Sequence, residues 1–156
     1  MKKFFTSLMA ALFALSLAGA ALAQDKKGTA DEAVAMVKKA GAYLKEHGQE
    51  KTIAAINDPK GQFVKGDLYV FMLRTNGDGL ALAHGQNAKI VGKNMLELRS
   101  ADGVFFVKDF LKTANSPSGK GWVNYQWPNS LTKTVEEKST YVERFGDVFL
   151  GVGIYK

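Results

Sequence analysis

The chain contains no cysteine among its 156 residues. This absence excludes disulfide bonds, thiolate metal sites and cysteine nucleophiles. The phosphate-cradling glycine loop, the G-x-S-x-G elbow of serine hydrolases and the H-E-x-x-H pair of zinc proteases are missing as well. Only two histidines are present, and they lie far apart in the sequence, at His47 and His84. The sequence therefore predicts no catalytic site, no metal site and no cofactor.

Concentrated positive charge is also missing. The formal net charge is +6, from 21 Lys and Arg against 15 Asp and Glu, but the basic residues are scattered. A nucleic-acid partner is not predicted, because no run of Lys and Arg resembles a surface that follows phosphates. A mild excess of positive charge favours small anions or an acidic partner.

The one long apolar run stands at the N-terminus. Two lysines precede an uncharged stretch from Phe4 to Ala18, and small residues end at Ala21-Leu22-Ala23. This order is typical of a secretory signal peptide, and an uncleaved membrane anchor is the alternative because the run approaches the length of a bilayer span. We expect cleavage after Ala23 and a periplasmic product. The predicted organisation is a signal peptide over residues 1–23 and one domain over residues 24–156.

The first part of this domain has helical periodicity. Thr29 and Glu32 have the spacing of a capping box, which predicts a helix start. Gly48 is expected to end or kink the helix, and a second short helix is expected to stop at Asn57-Asp58-Pro59. Apolar or small residues recur at steps of three and four: Ala30, Val34, Val37, Gly41 and Leu44. We interpret this stripe as facing the core, with a helix face that forms a homodimer as the alternative.

Strand patterns follow. Residues 68–73 form an aromatic and aliphatic run, Asn76–Gly79 supply turn residues, and residues 80–83 resume a strand, which together predict a hairpin. An apolar helical patch covers residues 104–111. Three more strands are predicted at Gly121–Trp127, Val135–Phe145 and Asp147–Tyr155. The sequence thus predicts an α+β fold, a five-stranded antiparallel sheet with helices on its faces.

Short motifs in colinear order carry a family resemblance. They are Tyr69-Val70-Phe71, Asn76-Gly77-Asp78-Gly79, Ala83-His84, Gly92-Lys93-Asn94, Tyr125-Gln126-Trp127-Pro128, Lys138-Ser139-Thr140-Tyr141-Val142 and Gly151-Val152-Gly153-Ile154-Tyr155. The series, from about residue 30 to the C-terminus, resembles the single Cache domain family, type 2. Gly85 departs from it, because that family usually has proline after the histidine.

The resemblance implies a PAS-like sheet backed by a long N-terminal helix, with a small molecule bound between the sheet and a helical insertion. Related domains are the extracytoplasmic sensors of chemoreceptors, which act in chemotaxis, and of histidine kinases. Several of them bind short carboxylates. The implied function is ligand sensing and signal transduction, in which a short organic anion binds and the signal passes to a membrane receptor or histidine kinase. A periplasmic adaptor without a ligand is the alternative.

Seven residues are candidates for the ligand site. His84, Lys93 and Lys138 could donate hydrogen bonds to an anion. Their structural alternatives are a histidine that binds loop carbonyls, a solvated loop lysine and an ion pair with a neighbouring glutamate. Aromatic residues could form the pocket wall: Tyr69, Tyr125, Trp127 and Tyr141. Strand alternation puts Val123, Tyr125 and Trp127 on one face, and Tyr69 on one face with Phe71 and Leu73.

Overall fold

A computed structural model describes residues 27–156 of the chain. The elements in order are α1 (Ala30–Ile56), β1 (Val64–Lys65), β2 (Leu68–Arg74), β3 (Ala81–His84), a 3₁₀ turn (Ala88–Ile90), α2 (Phe106–Ala114), β4 (Lys120–Pro128), β5 (Val135–Phe145) and β6 (Val148–Tyr155). The predicted signal peptide lies outside these residues. Over the described part of the chain, no helix has both the length and the apolar character that a bilayer crossing requires.

Helix α1 begins at the predicted capping box. The Thr29 side chain accepts a hydrogen bond from the Glu32 backbone N–H, and the Glu32 carboxylate accepts one from the Thr29 N–H. Gly48 interrupts the helix with φ +80°, a conformation that favours glycine, so the predicted kink is confirmed. The buried stripe consists of Ala33, Val37, Ala40 and Gly41, whereas Ala30 is exposed. The predicted stripe was therefore correct in its middle and wrong at its start.

The sheet has six antiparallel strands rather than the five predicted. Their order is β1-β2-β6-β5-β4, and β3 also pairs with β2. The additional strand, β1, has two residues, which is too short to show alternation in the sequence. The predicted hairpin is confirmed, since β2 and β3 pair antiparallel across the Asn76–Gly79 turn.

The two faces of the sheet bury two separate cores. Helix α1 covers one face, where the strands contribute Leu68, Val70, Met72, Tyr141, Leu150 and Val152. Helix α2 and the segment before it cover the other face, where the strands contribute Tyr69, Phe71, Leu73, Val123, Tyr125 and Val142. The alternation predicted for Tyr125 and for Tyr69 is thus confirmed, and both side chains lie on the α2 side.

Candidate ligand-binding site

A small cavity lies between the sheet and α2. Its volume is about 40 Å³. Aromatic rings form one part of the wall, and they come from Phe71, Phe106, Phe110, Tyr125 and Trp127. Aliphatic side chains from α2 and the preceding segment close the remainder, among them Met95, Leu98 and Val107. The interior is therefore apolar, and it suits a hydrocarbon group rather than a charged one.

Tyr69, His84 and Trp127 line both this cavity and a wider vestibule outside it, of about 380 Å³. The vestibule wall adds polar side chains from two loops: Gln86, Asn87, Asn129, Ser130 and Lys133. The Ser130 hydroxyl donates to Gln86 Oε1 at 2.8 Å and joins the β4–β5 loop to the loop after β3. The mouth of the cavity is thus built from a tyrosine, a histidine and a tryptophan.

His84 is held as a neutral hydrogen-bond donor. Its Nδ1 accepts the backbone N–H groups of Gln86 and Asn87, at 3.2 and 2.9 Å. An acceptor Nδ1 in a neutral ring requires the proton on Nε2. Burial and the nearby charge of Lys138 lower the pKa of His84 to about 4. Within residues 27–156 no hydrogen bond uses Nε2, so this N–H is free to bind a ligand.

Lys138 lies behind Tyr69 and has almost no exposure to solvent. Its Nζ is 2.6 Å from the Tyr69 hydroxyl oxygen and 3.1 Å from that of Tyr155. Burial lowers the pKa of Lys138 to about 7, although the charge of Asp67 acts in the opposite direction. No ion pair within 4 Å engages Lys138 in the described chain. The two glutamates beside it in sequence are therefore not its partners, and two tyrosines are.

The contact with Lys138 leaves the hydroxyl proton of Tyr69 available for donation. Burial raises the pKa of Tyr69 well above its ordinary value, so its hydroxyl keeps its proton. Because the hydroxyl oxygen accepts from the ammonium, the hydroxyl proton can be donated elsewhere. The Tyr69 ring packs against the imidazole of His84, with ring centroids 4.7 Å apart. Two neutral donors therefore stand side by side at the mouth, and a buried lysine lies behind one of them.

Two of the predicted site residues lie elsewhere. Tyr141 is buried on the α1 face of the sheet, and its hydroxyl donates to Glu143 at 2.8 Å. Lys93 is an exposed loop residue that lines neither the cavity nor the vestibule. The structure brings Tyr69, His84, Tyr125 and Trp127 to the cavity wall, with Lys138 one layer behind them. It does not bring Tyr141 or Lys93 there.

Comparison with known proteins identifies the fold. A family model described as a Cache domain matches residues 18–156. The chain belongs to the Cache domain family. Cache domains are extracytoplasmic sensor domains that bind small ligands, and they serve as the sensor domains of chemoreceptors. None of the curated proteins searched matches the chain.

Solved structures share the Cache fold at low sequence identity. A methyl-accepting chemotaxis protein from Vibrio parahaemolyticus is 19% identical with a TM-score of 0.68, over 80% of this chain and 86% of that one. A Cache chemosensory domain described in terms of carboxylic acid recognition is 20% identical with a TM-score of 0.67, over 80% of this chain and 91% of that one. A periplasmic sensor domain of a chemotaxis protein is 18% identical with a TM-score of 0.62, over 80% of this chain and 88% of that one.

Several residues of this Cache domain were not predicted from the sequence. Phe106 stacks on Tyr125 with ring centroids 4.4 Å apart and closes the cavity from α2. Asn57 at the end of α1 accepts the backbone N–H of His84. The helical patch containing Phe106 was identified, but its position over the sheet depends on packing between distant segments. A signal did exist for Tyr141, because it is three residues from Lys138 in one strand and alternation puts the two on opposite faces.

Proposed function

We propose that this Cache domain senses short monocarboxylates, with the alkyl group in the apolar cavity and the carboxylate at the mouth. The observation that carries the proposal is the pair of donors at the mouth, the His84 Nε2–H and the Tyr69 hydroxyl. Below its pKa of about 7, Lys138 supports the second donor with positive charge from behind. Hydrogen bonds to a charged acceptor are about twice as strong as neutral ones, so a carboxylate gains more here than an alcohol or an amide.

The lining chemistry favours anions over amines. Among residues 27–156, no Asp or Glu lines the cavity or the vestibule, and Lys133 is the charged residue of the vestibule. An amino acid or an amine would bring an ammonium group to a site without a carboxylate to receive it. Removing such a charge from water without a partner is costly. We therefore expect monocarboxylates to bind and amines to be rejected.

The cavity volume sets the expected number of carbon atoms in the ligand. A water molecule needs at least about 10–15 Å³ of such a volume, and a methylene group takes similar room. A cavity of about 40 Å³ thus accommodates about three such groups. Acids of three to five carbons are the expected ligands, since the carboxylate carbon remains at the mouth. The solved Cache chemosensory domain described for carboxylic acid recognition lends support from the same fold.

Isothermal titration calorimetry tests this function. Acetate, propionate, butyrate and hexanoate are titrated into the purified domain, with alanine and propylamine as matched non-ligands. The expected result is affinity that rises to butyrate and falls at hexanoate, with no heat from the amine. If only amines or amino acids bind, the ligand class is wrong. If no compound binds at millimolar concentration, an adaptor without a ligand is the better interpretation.

We also propose that the protein is exported, that its leader is cleaved after Ala23, and that it signals through a membrane receptor or histidine kinase. Support for export comes from the apolar N-terminal run and the Ala21-Leu22-Ala23 site. Intact mass spectrometry of the protein from a Gram-negative periplasm should show a chain that starts at Gln24. A membrane-bound chain that retains Met1 would contradict cleavage. A homodimer through α1 is part of the same proposal, and light scattering of the purified domain tests it.

A further inference from the structure

Lys138 and Tyr69 are in contact although a strand separates them. The sheet order puts β6 between β5, which carries Lys138, and β2, which carries Tyr69. The Lys138 ammonium is nevertheless 2.6 Å from the Tyr69 hydroxyl. The lysine side chain must therefore cross the face of β6, where a neighbouring side chain would ordinarily stand.

Gly153 occupies the crossing point. A Cβ on Gly153 would lie 2.2 Å from Lys138 Cε and 2.5 Å from Thr140 Oγ1. Real Cβ atoms essentially never approach other heavy atoms closer than 3.0 Å, so any side chain here displaces the lysine. Gly153 is not among the glycines of the described chain with positive φ. Its backbone conformation therefore does not require glycine. Glycine is required because Lys138 occupies the space where a side chain would stand.

We propose that Gly153 is a positioning residue of the ligand site, whose missing side chain lets Lys138 reach across β6 to hold Tyr69 as a donor toward the ligand. This inference rests on the proposed carboxylate function for its effect on affinity. The contact between Gly153 and Lys138 is independent of that function. The two can therefore be tested separately.

Gly151 provides a matched control on the same strand and the same face. A Cβ on Gly151 would lie 2.2 Å from the Phe71 ring, which has no polar partner to lose. Gly151→Ala and Gly153→Ala thus create clashes of equal closeness with different side chains. In the titration of Lys138, a shift shared by both variants reports general damage to packing. A shift confined to Gly153→Ala reports displacement of the side chains beside Gly153, which are Lys138 and Thr140.

The first test needs no ligand. The titration of Lys138 is followed by the ¹³C shift of its Cε, assigned through its loss in Lys138→Met. In Gly153→Ala the displaced ammonium gains water, so its titration midpoint should move to higher pH, whereas Gly151→Ala should leave it in place. An unchanged midpoint in folded Gly153→Ala overturns the inference. If Gly153→Ala does not fold, Lys138→Ala/Gly153→Ala should restore folding. If that variant fails and Thr140→Ala/Gly153→Ala folds, the clash is with Thr140 and the inference is overturned.

The second test measures butyrate affinity by calorimetry. Gly153→Ala should weaken binding about tenfold or more, the loss expected for one charge-assisted hydrogen bond. In a Lys138→Met background the same substitution should cost little further affinity. Equal losses in both backgrounds would show that Gly153 acts independently of Lys138. If the wild-type domain binds no carboxylate while Gly153→Ala still moves the Lys138 titration, the proposed function fails and the positioning role stands.

Discussion

The backbone N–H of His84 donates to Oδ1 of Asn57 at 2.9 Å. Asn57 caps the C-terminus of α1, so this bond ties the mouth of the cavity to the end of the long helix. The same His84 residue uses its ring to accept two N–H groups from the following loop. One residue thus joins α1, the edge strand β3 and the vestibule loop.

Asn57→Ala should weaken butyrate binding and lower the free energy of unfolding by about 1–3 kcal/mol, because the His84 N–H loses its partly buried acceptor. Calorimetry and urea denaturation measure the two effects. Asn115→Ala is the matched control, since its side chain also bonds to a backbone group, the Thr75 carbonyl, away from the cavity. The control should lose stability and keep affinity; equal losses of affinity in both variants would contradict a specific role for Asn57.

His84 should make stability depend on acid pH. Its pKa is about 4 in the folded chain and 6.5 in its unperturbed state. Between these values the unfolded chain binds more protons, so stability is fully present above pH 6.5 and is lost as pH falls toward 4. The total loss amounts to at most about 3 kcal/mol. Urea midpoints from pH 7 to pH 4 should show this slope in wild type and in His47→Gln, and a smaller slope in His84→Gln.

Lys138 should produce a second slope at alkaline pH. Its pKa is lowered from 10.5 to about 7 by burial, so above pH 7 the unfolded chain binds the extra proton and stability rises with pH. The rise should be visible up to about pH 9.5, below the range where tyrosines ionise. Tyr69, Tyr155, Asp67 and His84 are the ionisable groups that act on Lys138. Lys138→Met should remove the rise; persistence of the same slope in that variant would assign it to another group.

Tyr69→Phe and Tyr141→Phe remove the same atom from opposite faces of the sheet. Tyr69→Phe should reduce butyrate affinity about tenfold, because one donor to the carboxylate is lost. Tyr141→Phe should bind as wild type does, since its hydroxyl contacts Glu143 on the α1 face. Lys93→Met should also leave butyrate affinity unchanged. Calorimetry decides, and a loss of affinity in Tyr141→Phe equal to that in Tyr69→Phe would reject the assigned face.

Leu98→Ala should shift the ligand preference toward longer acids, because Leu98 lines the cavity and its truncation enlarges the volume available to the alkyl group. The ratio of hexanoate to butyrate affinity should rise severalfold. Leu44→Ala is the control, as a truncation of the same size in the α1 core. It should lower stability without changing the ratio. An unchanged ratio in Leu98→Ala would place the alkyl group outside the cavity.

Local chemistry made part of this fold predictable. The Thr29 and Glu32 capping box lies within one helical turn, and a glycine inside a helical pattern indicates a break at Gly48. Both features could therefore be identified from neighbouring residues. Strand alternation likewise separated the faces of β2 and β4. The family resemblance then supplied the arrangement of helices around the sheet.

The site was less predictable because it depends on contacts between distant segments. The ammonium of Lys138 meets Tyr69 across 69 residues of sequence, and no spacing indicates that the lysine passes over Gly153 to do so. Lys93 was assigned from a motif in a loop, where no periodicity states which way a side chain points. The tautomer of His84 depends on loop N–H groups that turn back toward the ring, which only the folded backbone specifies.

The break at Gly48 gives α1 a joint near its C-terminal end. The segment after the joint ends at Asn57, which holds the His84 backbone, and the longer segment before it packs along the sheet. A rigid rod would carry a push from the binding site along its axis. Because helical geometry is interrupted at Gly48, we expect a displacement of the His84 segment to change the angle between the short and the long part of α1.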